Sequence, residues 1–183
     1  MPSLWDEMTF MTNRLKGRIL DVGCGNGEYT KRLRRNPGVT EVIGFDLASP
    51  DKEVWGTTFN RNAGGPYVQD DMAKMKFNAE VFDGILAWQS LEHTDEPDIA
   101  LWQFQRVLKP GGLLCLAIPV GSKDTFARKN EPRGDAHLTF WDPDEVKEHA
   151  DSAGFMVADG PYFDQTGCQN WLFIRLRQGY PAF

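Results

Sequence analysis

The run Arg18-Ile19-Leu20-Asp21-Val22-Gly23-Cys24-Gly25-Asn26-Gly27 constrains the fold more than any other stretch of the chain, because an apolar strand breaks into a glycine-rich turn that leads directly into a helical pattern. A glycine has no Cβ, so it takes positive φ and lets a ligand come close to the main chain, while the helix that follows offers unpaired N–H groups to an anion. The spacing narrows the ligand. A dinucleotide loop needs G-x-G-x-x-G at this point. This chain has G-x-G-x-G, with Glu28 where the third dinucleotide glycine would stand. An acid beside the anion pocket repels a pyrophosphate.

At 183 residues the chain fits one domain, 1–183, with a substantial core and no room for two ordinary domains. Residues 1–16 have the pattern of a short amphipathic helix built on Leu4, Trp5, Met8, Met11 and Leu15, which either forms a lid or packs on the sheet; residues 178–183 are a tail. The net charge of −6 argues against a broad nucleic-acid footprint. Cys24, Cys115 and Cys168 are odd in number and form no C-x-x-C pair, so neither a disulfide framework nor a zinc cluster is expected, and a reducing cytoplasm is the simple setting. The N-terminus lacks a basic stretch followed by an apolar core, and no run reaches the roughly 18 apolar residues of a membrane span.

Apolar β-branched runs alternate with helical patterns, the rhythm of βαβ units and a mostly parallel sheet, so the class is α/β. Strands are expected at Arg18 to Val22, Thr40 to Phe45, Tyr67 to Gln69, Phe82 to Ala87 and Leu113 to Ile118, and helices at Glu28 to Arg35 and Pro97 to Leu108. In the second helix Ile99, Trp102, Val107 and Leu108 are assigned to the sheet-facing side, and Lys109-Pro110-Gly111-Gly112 stops it. A third helix starts at Asp142, with Pro143 at its first position and Glu145 completing a capping box, and ends at Gly154. Phe155 to Val157 and Asn170 to Arg177 then form an edge pair with one strand reversed. Two long connections, Ala48 to Pro66 and Pro119 to Leu138, have lengths that usually mean function or mobility.

Three further blocks bear on the ligand. The second strand ends at Asp46, nineteen positions past Gly27, where an acid accepts hydrogen bonds from both ribose hydroxyls of either a nicotinamide or a methyl-donor cofactor. Gln69-Asp70-Asp71-Met72 follows the third strand. Val81-Phe82-Asp83-Gly84-Ile85-Leu86-Ala87-Trp88-Gln89-Ser90-Leu91-Glu92-His93 spans the fourth strand and its exit loop, and Leu108-Lys109-Pro110-Gly111-Gly112-Leu113-Leu114 enters the fifth. In this order and spacing the blocks resemble the class I S-adenosylmethionine-dependent methyltransferases, well over residues 18–120 and loosely over 137–155. The resemblance implies a Rossmann-like three-layer α/β/α sandwich with a seven-stranded, mostly parallel sheet of order 3-2-1-4-5-7-6 and an antiparallel C-terminal strand. It implies that S-adenosylmethionine is the cofactor. It also implies that Asp21 lies near the cofactor's ammonium, that Gly23, Gly25 and Gly27 shape the turn around its amino-acid end, and that Asp46 and Leu47 lie at the ribose. Asp71 and Met72 fall at the adenine, and Ala87 and Trp88 toward the transferable methyl group.

Methyl transfer from a sulfonium is an in-line displacement, in which positioning supplies about 7–11 kcal/mol and a general base about 10²- to 10⁴-fold. His93 is the first candidate base and His137 the second; each has an alternative as a structural hydrogen-bonding group. His149 is expected to be solvated. Trp88 either lines the pocket, attracting the sulfonium through its ring, or packs in the core. Arg128, Lys129 and Arg133 concentrate positive charge in the second long connection, as an anion clamp on the acceptor or as a solvated loop neutralised by Asp124, Glu131 and Asp135. No metal is expected. The acceptor is expected to be a small molecule and not bulk nucleic acid, with a sugar, lipid-linked or peptide acceptor left open. Two other classes stand beside this reading: a cofactor-binding subunit without catalysis, and an NAD-dependent oxidoreductase, against which Glu28 argues.

Overall fold

The computed structural model describes residues 9, 12–49, 53–54, 57–58, 65–120, 137–164 and 167–176. Seven strands form one sheet: β1 (Gly17–Val22), β2 (Val39–Asp46), β5 (Tyr67–Gln69), β6 (Phe82–Trp88), β7 (Leu108–Pro119), β8 (Phe155–Phe163) and β9 (Cys168–Arg175). A two-stranded hairpin of β3 (Glu53–Val54) and β4 (Thr57–Thr58) lies within the first long connection. The order of the large sheet is β5-β2-β1-β6-β7-β9-β8, with β9 antiparallel to both its neighbours and the other pairs parallel. This is the order and the reversed C-terminal strand that the resemblance implies.

Period-two alternation builds two layers from one sheet. Leu20, Val22, Ile43, Phe45, Ile85, Leu114 and Leu116 point to one face, under α2 (Pro97–Val107) and α3 (Pro143–Ser152). Ile19, Val42, Leu86, Trp88, Cys115 and Ala117 point to the other, under α1 (Glu28–Leu33). Leu15 is buried with this second layer; Leu4, Trp5, Met8 and Met11 of the expected N-terminal helix lie outside the described residues. The α3 start is as expected: Asp142 Oδ1 accepts from the N–H groups of Asp144 and Glu145, and Glu145 Oε2 accepts from Asp142 N–H at 2.7 Å.

Two expectations are corrected. The sheet-facing side of α2 carries Ala100, Leu101, Phe104 and Val107, whereas Ile99 and Trp102 are 46% and 58% exposed. At 100° per residue, Leu101, Phe104 and Val107 cluster on one stripe around Ala100, and Ile99 and Trp102 fall on the opposite side; apolarity alone chose the wrong pair. The fifth strand also begins earlier than expected, at Leu108. Phe82 pairs with Leu108 and Gly84 with Leu113, so Lys109-Pro110-Gly111-Gly112 is a bulge that the strand absorbs, with Gly111 at φ 82°. The bulge brings Lys109 Nζ to 2.7 Å from Asp83, whose other oxygen accepts from Arg18 N–H, tying the N-terminal ends of β1, β6 and β7 together.

The corrected helix face has a direct test. Phe104→Ala is expected to cost about 3–5 kcal/mol in denaturant unfolding, and Trp102→Ala to stay within about 0.5 kcal/mol.

Candidate functional site

The chain leaves β1 toward β2 and β5 on one side, then returns to β6 on the other, so the C-terminal ends of β1 and β6 flank the point where open parallel sheets bind ligands. The glycine turn fills that point. Gly23 and Cys24 N–H both donate to Phe45 O, at 2.8 and 3.1 Å, which lays the turn across the end of β2. At Gly23, φ is 67° and a Cβ would stand 2.3 Å from Ser90 Cβ, so no side chain fits between the exits of β1 and β6. Gly27 caps α1 in the left-handed conformation at φ 81°.

Two acids lie at the turn, and a third, Asp71, follows the C-terminal end of β5. Asp21 is buried on the α1 face, where its Oδ2 accepts from Thr30 Oγ1 at 2.6 Å. Burial pushes its carboxyl up to about 7, the Thr30 hydroxyl opposes that rise, and the negative charge of Asp46 adds to it. Asp46 accepts from Gly25 N–H and from Ala48 N–H, both at 2.9 Å, one on each oxygen, and each oxygen keeps a lone pair for a further donor. Asp71 is the N-cap of the single helical turn Met72–Lys74, accepting from Ala73 N–H at 2.9 Å, with Lys74 Nζ at 3.2 Å from its other oxygen. Met72 is half-buried and packs against the main core beside Phe77. The segment is pinned from behind by Arg106, which donates to Phe77 O at 2.7 Å and Met75 O at 2.8 Å.

The other expected site residues separate by depth. Ala87 is fully buried in β6, and Trp88 is 8% exposed, with its ring 5.6 Å from that of Tyr29 on α1. Leu47 is 71% exposed at the end of β2. Beyond Trp88 the backbone twists through Gln89 at φ 47°, a strained geometry for a non-glycine residue, into the turn Leu91–His93. His93 and His137, distant in sequence, are brought together with ring centroids 4.9 Å apart and edge-on. The contact is held by the backbone: Glu92 O accepts from Leu138 N–H at 2.6 Å and Thr139 N–H at 3.2 Å, and Thr139 Oγ1 donates to Thr94 O at 3.3 Å.

His149 departs from the expectation of a solvated side chain. It stacks on Trp141 at 4.1 Å and its Nδ1 lies 2.5 Å from Asp98 Oδ1, so it joins α3 to α2 and stands apart from His93 and His137. Arg128, Lys129 and Arg133 lie outside the described residues. Thr30 and Ser90 also stand in the site, beside Asp21 and Gly23. Thr30 carries no linear signal, since only the fold sets it against Asp21, whereas Ser90 lies within the Val81-to-His93 block and is marked out only by its packing on Gly23.

Residues 4–159 match the model of a methyltransferase domain family. The chain is 30% identical over 147 residues to a malonyl-[acyl-carrier protein] O-methyltransferase from Salmonella typhimurium, covering 78% of this chain and 56% of that protein. It is 36% identical over 104 residues to an O-methyltransferase from Penicillium expansum, covering 54% of this chain and 37% of that protein. The chain thus spans about half, or less, of the length of these curated relatives. An S-adenosylmethionine-dependent methyltransferase from Mesorhizobium loti superposes with a TM-score of 0.71 at 16% identity, over 93% of this chain and 97% of that one, a likeness of fold. With its sheet order, its glycine turn and the family match, the chain belongs to the class I S-adenosylmethionine-dependent methyltransferases.

The residues present fit the cofactor of that family. Ser90 Oγ is buried beside the turn and hydrogen-bonds to no described residue, and a buried Asp21 carboxyl gains from a cation such as the cofactor's ammonium.

Asp21 gives a pH signature with a definite sign. Its folded-state value lies above its ordinary 3.8, so the stability it contributes is full below that value and is lost as pH rises toward about 7, at up to about 1.4 kcal/mol per pH unit. Asp21→Asn is therefore expected to raise the ligand-free melting temperature at pH 8 and leave it nearly unchanged at pH 4, as read by calorimetry.

Proposed function

We propose that this chain transfers a methyl group from S-adenosylmethionine to an oxygen or nitrogen nucleophile on a small acceptor, free or linked to a sugar or lipid. The observation that carries this reading is the placement of Asp21 and Asp46 at the glycine turn and of Asp71 past the C-terminal end of β5, with His93 and His137 beyond the end of β6. Kinship with O-methyltransferases supports oxygen as the atom methylated.

When bound, S-adenosylmethionine supplies a methyl group already activated by its sulfonium. The chain's own groups bind, orient and manage a proton. Asp21 faces the ammonium, and the turn from Gly23 to Gly27 cradles the amino-acid end, where a Cβ at Gly23 would strike Ser90. Asp46 takes the ribose hydroxyls while holding Gly25 and Ala48 with its remaining lone pairs. Asp71 and Met72 form the adenine wall. His93 and His137 receive the acceptor's nucleophilic atom and activate it. Positioning carries most of the rate, and this activation adds the factor of about 10² to 10⁴ that proton management supplies.

The test begins with ligand binding. Titration with S-adenosylhomocysteine is expected to raise the melting temperature, by about 2.7 kcal/mol of added stability at 100 times Kd, and the rise should shrink in Asp46→Ala. A flat wild-type response removes the proposal. Once an acceptor screen yields turnover, His93→Ala and His137→Ala should each lower kcat by about 10²- to 10⁴-fold and leave S-adenosylhomocysteine affinity unchanged.

A further inference from the structure

We propose that Glu92, His93 and His137 together form a binding site for one divalent cation of the zinc class. The inference rests on the methyl-transfer reading and deepens it, because it assigns activation of the acceptor at these residues to a bound cation.

Three observations converge. First, one ligand atom from each of the three residues lies within 4.8 Å of the other two. Donors that share a cation at bond lengths of about 2.0–2.2 Å stand about 3–4 Å apart, so rotation of the side chains by less than about 1 Å closes the set. Second, the donor set is two imidazole nitrogens and one carboxylate oxygen, the composition of catalytic zinc sites that keep a position open for substrate. Third, the frame is already in place. His137 is held against the Leu91–His93 turn by the two N–H groups that donate to Glu92 O, and the segment is fixed further along, where Gln169 Nε2 donates to Trp141 O at 2.7 Å. Glu92 itself is wholly buried, so its carboxylate is offered to a cation away from competing solvent. A cation shared by the three side chains orders both rings at once.

The site stands where the acceptor is expected, next to the strained exit of β6. An acceptor hydroxyl bound in the open position is acidified, and its proton leaves to water near neutral pH. The resulting oxygen lone pair then forms the O–CH3 bond as the S–CH3 bond breaks, and that electron pair stays on sulfur. No oxidant or reductant enters. The linear spacing gave no sign of a metal, because one ligand pair comes from the end of β6 and the third ligand from the approach to α3.

The experiment uses the untagged full chain, titrated with zinc chloride by calorimetry and with cobalt(II) chloride by visible absorption, alongside S-adenosylhomocysteine. The wild type is expected to bind one equivalent and to give cobalt d–d bands of low coordination number. His93→Ala and His137→Ala should abolish the bands, and Glu92→Gln should weaken zinc by at least about tenfold, the lower bound seen even for residues that only support a metal ligand. His149→Gln should leave stoichiometry and affinity unchanged. Retained S-adenosylhomocysteine binding and a cooperative melt show that each variant is folded. Absence of zinc and cobalt binding in wild type, or binding that follows His149 and survives His137→Ala, overturns the proposal. If the metal fails while S-adenosylhomocysteine binds, the methyl-transfer reading stands without it; if neither binds, both fall.

Discussion

The contact between Gly23 and Ser90 is the constraint on which the rest of the site depends. Two parallel strands, β1 and β6, end side by side, and the chain leaves them in different directions. The exits can touch only because one of them has no side chain: any Cβ at Gly23 would sit 2.3 Å from that of Ser90. Once they touch, the turn is forced across the end of β2, where it takes Phe45 O and the Asp46 carboxylate as partners. A single missing methyl group thus sets the relation between the glycine turn, Asp46 and the loop that leads to His93.

The second theme is charge placed where solvent is absent. Asp21 and Glu92 are both buried carboxylates, one beneath the turn and one beneath the histidines. Burial of a carboxylate opposes folding unless hydrogen bonds or a cation offset it. Thr30 offsets part of the cost for Asp21. On the proposed reading the two acids mark a cofactor half and an acceptor half of the site, each with its own buried carboxyl.

Much of this was legible in the sequence, for physical reasons that vary by element. The turn and α3 were legible because glycine spacing and a capping box are local chemistry, complete within a few residues. The strands were legible from periodicity, while their order came through resemblance, since no local pattern encodes which strands neighbour each other. The α2 face was misread because the most apolar residues, Ile99 and Trp102, are not those in phase with the buried stripe. Both histidines were legible as candidates by position after the fourth strand and before the capped helix. Their meeting, and the part of Glu92 in it, was not, because it depends on a backbone hydrogen bond between segments far apart in the chain.

The bridge between Val120 and Trp141 has a consequence for how such a protein diversifies. These residues lie side by side in an isolated parallel bridge, and Trp141 is secured independently by Gln169 and by stacking on His149. Whatever chain joins them leaves and returns at one fixed gate. Closing a longer excursion through a gate costs little, about 0.6 kcal/mol for each doubling of length. Insertions between Val120 and His137 can therefore change the length of this connection while the sheet, the glycine turn and His137, anchored through Leu138 and Thr139, keep their places. Loop length and sheet architecture are in this way separable parts.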